Sequence, residues 1–439
     1  MKTDLIYGVE DRPPFKDAFF AALQHLLAIF VAIITPPLII AGALKLDVEK
    51  TGFLVSMALF ASGISTFIQC RRFGALGSGL LCIQGTSFSF IGPIIATGLV
   101  GGLPLIFGVC MAAAPIEMIV SRTFKYLRNI ITPLVSGIVV LLIGLSLIKV
   151  GVVSCGGGYA AMENGTFATW ENLTISGVVL LSVLFFNRCK SKYLRMSSII
   201  LGLCLGYGLA FALGKVDMSG LDTGLLMSFN VPMPFKYGLD FNISSFIAIG
   251  LVYLITAIEA TGDITANSMI SGLPIEGDQY VKRVSGGVLA DGFNSFVSGM
   301  FNAFPNSIFA QNNGIIQLTG VASRYVGYYI AAMLVLLGLF PIVGAVFSLM
   351  PGPVLGGATL LMFGTVAAAG IRIISSQQIG RKETLVLAVS LSLGLGVELM
   401  PDVLQQAPEG IRSIFSSGIT TGGLTAIIAN IVIRVKEES

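Results

Sequence analysis

Four ionisable side chains lie within apolar stretches of this chain, and they are the residues best placed to do chemistry. Glu259 and Asp263 are four apart, so a helix puts them on one face. Asp291 closes the run Gly286-Gly287-Val288-Leu289-Ala290-Asp291, whose glycines allow close helix approach. His25 is the single histidine of the chain and sits in mid-stretch. A charged group at the centre of a membrane helix costs at least ~2.5–3.5 kcal/mol unless it is paired or hydrated. Three acids and one imidazole, with no other buried base, suit proton handling. The plain alternative is a structural hydrogen-bond network. Asp291 fits a tie between two helices equally well, and His25 fits a bridge to a neighbouring segment, whereas Glu259 is read as functional. Glu117 has no assigned role, and Lys149 and Glu398 lie near segment ends, where long side chains reach the interface.

A second set of polar groups lies in Phe301 to Arg324, FNAFPNSIFAQNNGIIQLTGVASR. A strand-like run, Ser307 to Ala310, turns abruptly into the carboxamides Gln311, Asn312 and Asn313. A lipid-facing helix has no use for three consecutive amides, but a broken segment facing a polar solute does. An earlier stretch, Gln84-Gly85-Thr86-Ser87-Phe88-Ser89-Phe90 followed by Gly92-Pro93, is interrupted in the same way. Together these residues make a specific toolkit. A planar heterocycle with N–H and C=O edges needs a bidentate amide (Gln311), a carboxylate acceptor (Glu259) and aromatic faces (Phe88 and Phe309).

The elements that position these groups are membrane segments. The chain is 54% hydrophobic and 11% charged, with a mean hydropathy of +0.88, whereas soluble domains carry about 25% charged residues. Spanning-length apolar windows predict 14 segments: 17–40, 52–68, 77–99, 103–120, 132–150, 173–186, 197–213, 243–263, 286–300, 301–324, 325–349, 354–371, 383–400 and 414–435. The polar interval 214–242 divides them seven and seven. An odd-numbered half inverts its copy, so the expected fold is an all-α polytopic protein of two inverted repeats, with the third segment of each half interrupted. With both termini placed in the cytoplasm, 20 of the 26 Lys and Arg fall in inner loops. These clusters are topology signals rather than a nucleic-acid surface. Gly202-xxx-Gly206 and Gly352-xxx-Gly356 read as helix-packing motifs. The six Cys form no CxxC pair or metal spacing, so neither a disulfide framework nor a metal is expected. The first 17 residues show no cleavable signal pattern. No nucleotide loop, zinc motif or nucleophile elbow occurs, so neither a cofactor nor an enzymatic activity is expected.

The motif Gln311-Asn312-Asn313-Gly314-xxxx-Thr319-Gly320 resembles the signature of the nucleobase–ascorbate transporter family, in the form of its bacterial xanthine and uric acid permease branch. Gln24-His25-Leu26-Leu27-Ala28, Glu259 to Asp263, Gly286 to Asp291 and Ala322 to Gly327 extend the resemblance over most of the chain. The resemblance implies a homodimeric, proton-coupled purine symporter of the bacterial inner membrane. It implies that a core domain (residues 17–128 and 243–349) moves like an elevator against a gate domain (129–214 and 350–435), with 1–16 as a cytoplasmic lead and 215–242 as an outer connection. It also implies short paired strands in segments three and ten. By position, Glu259 and Gln311 would hold the purine and Phe88 and Phe309 would contribute contacts. Asp291 and Asn312 would support the site and its proton linkage, with His25 and Asp263 modulating it. Ser87 stands where many xanthine-selective relatives carry Asn. The smaller residue leaves room at the purine, so uric acid joins xanthine as an expected substrate. Alternatives are a uracil or other nucleobase permease of the family and an uncoupled channel or anion carrier of the same architecture.

Overall fold

The computed structural model describes residues 5–127, 132–158, 161–162, 164–191, 194, 197–216, 229, 231–375, 377–408, 411–412, 415 and 417–433. Residues 217–228 and 230 of the 215–242 connection and the ends of the last predicted segment lie outside these residues, as do Lys2, Arg128, Lys192, Arg195, Arg434 and Lys436 of the loop-charge pattern.

Among the described residues the chain forms two short strands and fourteen α-helices. In the first half these are α1 (Phe15–Ala43), α2 (Val48–Arg71), β1 (Gln84–Thr86), α3 (Ile91–Leu127), α4 (Pro133–Cys155), α5 (Trp170–Arg188) and α6 (Ser198–Ala212). The second half holds α7 (Ile243–Ile270), α8 (Gly277–Met300), β2 (Asn306–Ile308), α9 (Gln311–Thr319), α10 (Arg324–Leu339), α11 (Pro341–Ser348), α12 (Gly352–Ile374), α13 (Arg381–Leu399) and α14 (Gly418–Val432). Among the described residues, seven helices are long and apolar enough to cross a membrane. Every predicted segment contains helix, but one break differs. Segments three and four are the two helical parts of α3, separated as expected by the non-helical Gly101 and Gly102. Gly102 takes φ 66°, ψ −160°, a conformation open to glycine. Segment eleven is two helices, α10 and α11. Phe340 precedes a proline, which disfavours helical geometry, and it is extended at φ −98°, ψ 107°. Helix α7 runs seven residues past Asp263, so Glu259 and Asp263 sit deep within it.

Glycines set the closest helix approaches. Along α4 and α12, a Cβ on Gly144 would lie 2.3 Å from the Ala367 nitrogen, and one on Gly370 would lie 2.4 Å from that of Leu141. At the far end of the same seam, a Cβ on Gly356 would meet the Cys155 nitrogen at 2.2 Å. Lipid competes with side chains for apolar contact, so such backbone-to-backbone packing is the main source of helix adhesion in a bilayer. The predicted Gly202-xxx-Gly206 motif packs α6 on Val179 and Val183 of α5. A second group of helices surrounds the strands: α2 packs on α10, and α3 packs on both α7 and α8. The N-terminal lead is tied to the end of α9. Ile6 and Tyr7 donate backbone N–H groups to the Gly320 carbonyl, and Arg324 grips Glu10 through Nε (3.0 Å) and Nη2 (2.8 Å).

The α4–α12 seam makes a direct prediction. Gly144→Val should separate the two helices at a cost of about 1–3 kcal/mol, read as a lower Tm in detergent. Gly396→Val on α13, where a Cβ meets nothing within 4 Å, is the control. Equal melting of the two variants would refute the seam.

Candidate functional site

The site is built on the two strands. β1 and β2 pair antiparallel, with Gln84 opposite Ile308, Gly85 opposite Ser307 and Thr86 opposite Asn306. The pairing extends at both ends, where Phe309 N–H donates to the Ile83 carbonyl and Ser87 N–H donates to that of Pro305, each at 2.9 Å. Each strand leads into helix: Phe88–Phe90 form a 3-10 turn entering α3, and β2 enters α9 at Gln311. Glycine is required at position 85, because a Cβ there would lie 2.5 Å from the Phe309 ring and 2.7 Å from Ile33.

A cavity of about 220 Å³ opens against this unit. One wall carries Phe88, Ser307, Phe309, Gln311, Glu259 and Asp263; the other carries Val140 and Ile143 of α4 and Thr365, Val366 and Arg372 of α12. The Phe88 and Phe309 rings are near parallel (27°), with centroids 6.4 Å apart. Glu259 is half-buried and its Oε2 accepts from Ser89 Oγ at 3.2 Å. The Gln311 carboxamide makes no hydrogen bond to another described residue, which leaves its donor and acceptor edges for a ligand. A second cavity, of about 340 Å³, lies beyond Phe88 toward Lys149 and Glu398. Phe88 lines both cavities, and it also packs edge-on against Phe363 of α12 (5.4 Å, 85°).

The remaining predicted residues stand behind this wall. His25 Nδ1 is 2.9 Å from Asn312 Oδ1, and Asn312 Nδ2 reaches the Phe309 carbonyl at 3.4 Å, so the histidine and the amide brace Phe309 from the rear. Asp291 accepts a hydrogen bond from Gln84 Nε2. Asn313 bonds Asn267 Nδ2 (2.9 Å) and the Asp263 carbonyl (3.4 Å), which fastens α9 to α7. Ser87 is buried and does not line either cavity. Sequence reasoning left out Ser89, Thr365 and Arg372. Ser89 belongs to the interrupted stretch, and its polarity beside two phenylalanines was the available signal. Nothing local marks α12 as a wall of the site.

A bundle of apolar helices around paired half-strands, with an acid and an amide exposed to an internal cavity, defines a multi-pass membrane permease rather than a soluble catalyst. Residues 16–403 match the permease family model Xan_ur_permease, so the chain belongs to this family, the nucleobase–ascorbate transporters. The xanthine permease XanP of Escherichia coli (strain K12) is 51% identical, the match covering 98% of this chain and 95% of that one. Xanthine permease XanQ of the same strain is 49% identical, over 98% and 94%. Uric acid permease PucJ of Bacillus subtilis (strain 168) is 35% identical, over 96% and 93%. The fold is shared with more distant structures. The transmembrane domain of a cyanobacterium bicarbonate transporter, BicA, superposes with a TM-score of 0.57 at 13% identity, covering 97% of this chain and 100% of that one. SLC26A9 superposes at 0.59 and 11% identity, over 96% and 66%.

The wall has a labelling signature. With Cys155, Cys189 and Cys204 replaced by Ser, cysteine at Gln311 or Ala310 should react with a soluble maleimide in detergent, and cysteine at Ser87 should stay inert. Comparable labelling at all three positions would remove Ser87 from the layer behind the wall.

Proposed function

We propose that this protein is a proton-coupled purine carrier that takes up xanthine with protons and accepts uric acid as a second substrate. The observation that carries this reading is the cavity wall: a free carboxamide (Gln311) and a half-buried carboxylate (Glu259) face the same opening beside two near-parallel phenyl rings. A purine dione presents adjacent N–H and C=O edges on a flat aromatic body. An amide matches such an edge in two-point fashion, a carboxylate takes an N–H, and the rings take the face. The relatives named as xanthine and uric acid permeases support the same substrate class.

In this reading Glu259 links the ligand to the proton, because one carboxylate can accept a substrate N–H or a proton. Asp263 shares its wall, and Asp291, Asn312 and His25 hold the frame behind it. Transport follows an elevator-like exchange. The strands with α1–α3 and α7–α11 form the moving core, and α4–α6 with α12–α14 form the gate. Two features support the exchange. The two cavities meet at Phe88, and the Phe88–Phe363 contact crosses from the strand unit to α12. An inverted repeat is supported by the strands, which occupy matching places in the two halves, each leads into helix, and they pair antiparallel. The helix starts at Phe88 and Gln311 bring the positive ends of two helix dipoles to the ligand. We place the carrier in the bacterial inner membrane as a homodimer with cytoplasmic termini, driven by the proton gradient without a cofactor.

In a host lacking purine uptake, Glu259→Gln and Gln311→Asn should each reduce proton-driven xanthine accumulation by about tenfold to a hundredfold, since each leaves a buried edge unmatched. Full uptake by either variant would remove that residue from the site. Wild-type accumulation should collapse with a protonophore; accumulation that survives it would indicate an uncoupled carrier. Excess uric acid should compete with labelled xanthine and excess uracil should not, and competition by uracil alone would move the substrate to the pyrimidines.

A further inference from the structure

Glu117 lies outside both cavities and outside every role assigned above, yet it is a fully buried carboxyl group on α3. Its side chain meets Asp291 of α8, also fully buried, within hydrogen-bond reach. Gly292 makes the approach possible, because a Cβ there would lie 3.1 Å from both the Glu117 Cβ and the Ala114 carbonyl oxygen. One oxygen of each acid has a partner. Glu117 Oε2 accepts from Thr256 Oγ1 at 3.4 Å, and Asp291 Oδ1 accepts from Gln84 Nε2. The other oxygen of each, Glu117 Oε1 and Asp291 Oδ2, is buried without a donor.

Two facing carboxyl groups with one unpartnered oxygen apiece are satisfied by a single hydrogen between them. With no proton, two bare charges would repel in a buried site. Around the pair, the titratable groups among the described residues are Tyr253, Glu259 and Asp263 from α7, Cys110 from α3 and Cys82 beside β1, and none is a cation. A second proton would have to sit on Glu117 Oε2 and turn the Thr256 hydroxyl hydrogen to the Tyr253 carbonyl at 3.2 Å, which reverses the Thr256 link. We propose that Glu117 and Asp291 share one resident proton, held as Glu117 Oε1–H to Asp291 Oδ2, and that Glu117 is thereby a positioning residue for the strand unit. The resulting chain runs from Thr256 through Glu117 and Asp291 to Gln84, the first residue of β1. It sets the strand's depth relative to α3, α7 and α8. Because neither acid lines either of the two cavities, this proton stays in place while the proton on Glu259 exchanges.

The uptake assay rests on the transport reading, but infrared spectroscopy of the full-length protein reads the pair without it. The wild-type minus Glu117→Gln difference spectrum at neutral pH should contain the C=O stretch of a protonated buried carboxyl, and Glu259→Gln should leave that band in place. Absence of the band would overturn the proposal. In uptake, Glu117→Gln should keep the wild-type pH profile and apparent KM, since an amide N–H can replace the shared O–H. Glu117→Leu should lose roughly a hundredfold, because it strands Asp291 as an unpaired buried charge. If Glu117→Gln instead abolishes accumulation but retains xanthine exchange, the proton is a transported one and the resident assignment is wrong.

Discussion

The pairing of β1 with β2 is the interaction on which the site depends. In a bilayer interior, backbone N–H and C=O groups outside a helix have no water to turn to. Two three-residue strands from opposite halves satisfy one another along one edge. Their remaining groups are met from the side: Thr66 Oγ1 accepts from the Gln84 N–H at 3.0 Å, and Ser295 bridges the N–H and C=O of Asn306. Irregular backbone is tolerated at this depth because helices enclose it on one side and a cavity opens on the other. The pairing also joins the two halves of the chain beside the cavity, so the cavity wall draws on both halves at once.

The polar residues around the strands divide into two layers. Glu259, Asp263, Gln311 and the two phenylalanines meet the cavity. His25, Asn312, Asp291, Gln84 and Glu117 lie behind and interact mainly with one another or with the strand unit. This division has a physical basis. A group that must exchange a proton or bind a solute needs access, whereas a group that fixes geometry works best fully desolvated, where an unmade hydrogen bond is costly. A rigid rear layer holds the small front layer at fixed spacing.

Much of the site was legible in the chain itself. Acids inside apolar stretches stand out because burial of charge is expensive, and Glu259 and Asp263 share a face through helical spacing alone. The two interrupted stretches showed themselves by amides, glycines and a proline where a lipid-facing helix would carry aliphatic residues. The outlines of most helices followed from apolar length. Less legible were the breaks. Gly101 and Gly102 do separate the helices of segments three and four as expected, but the break inside segment eleven, where α10 ends at Phe340 because of the proline that follows it, was not read.

Residue types and their periodicity determined that this chain spans a membrane many times, which groups are too costly to be accidental, and where helices fail. Those properties are local, set by transfer energies and backbone geometry within a few residues. Tertiary structure alone decided that Ser87 is buried off the cavity while Ser89 holds Glu259, that α12 forms the opposite wall, and that Glu117 meets Asp291 from 174 positions away in the chain. Each of these depends on which distant parts of the chain pack together, and no local pattern encodes those pairings.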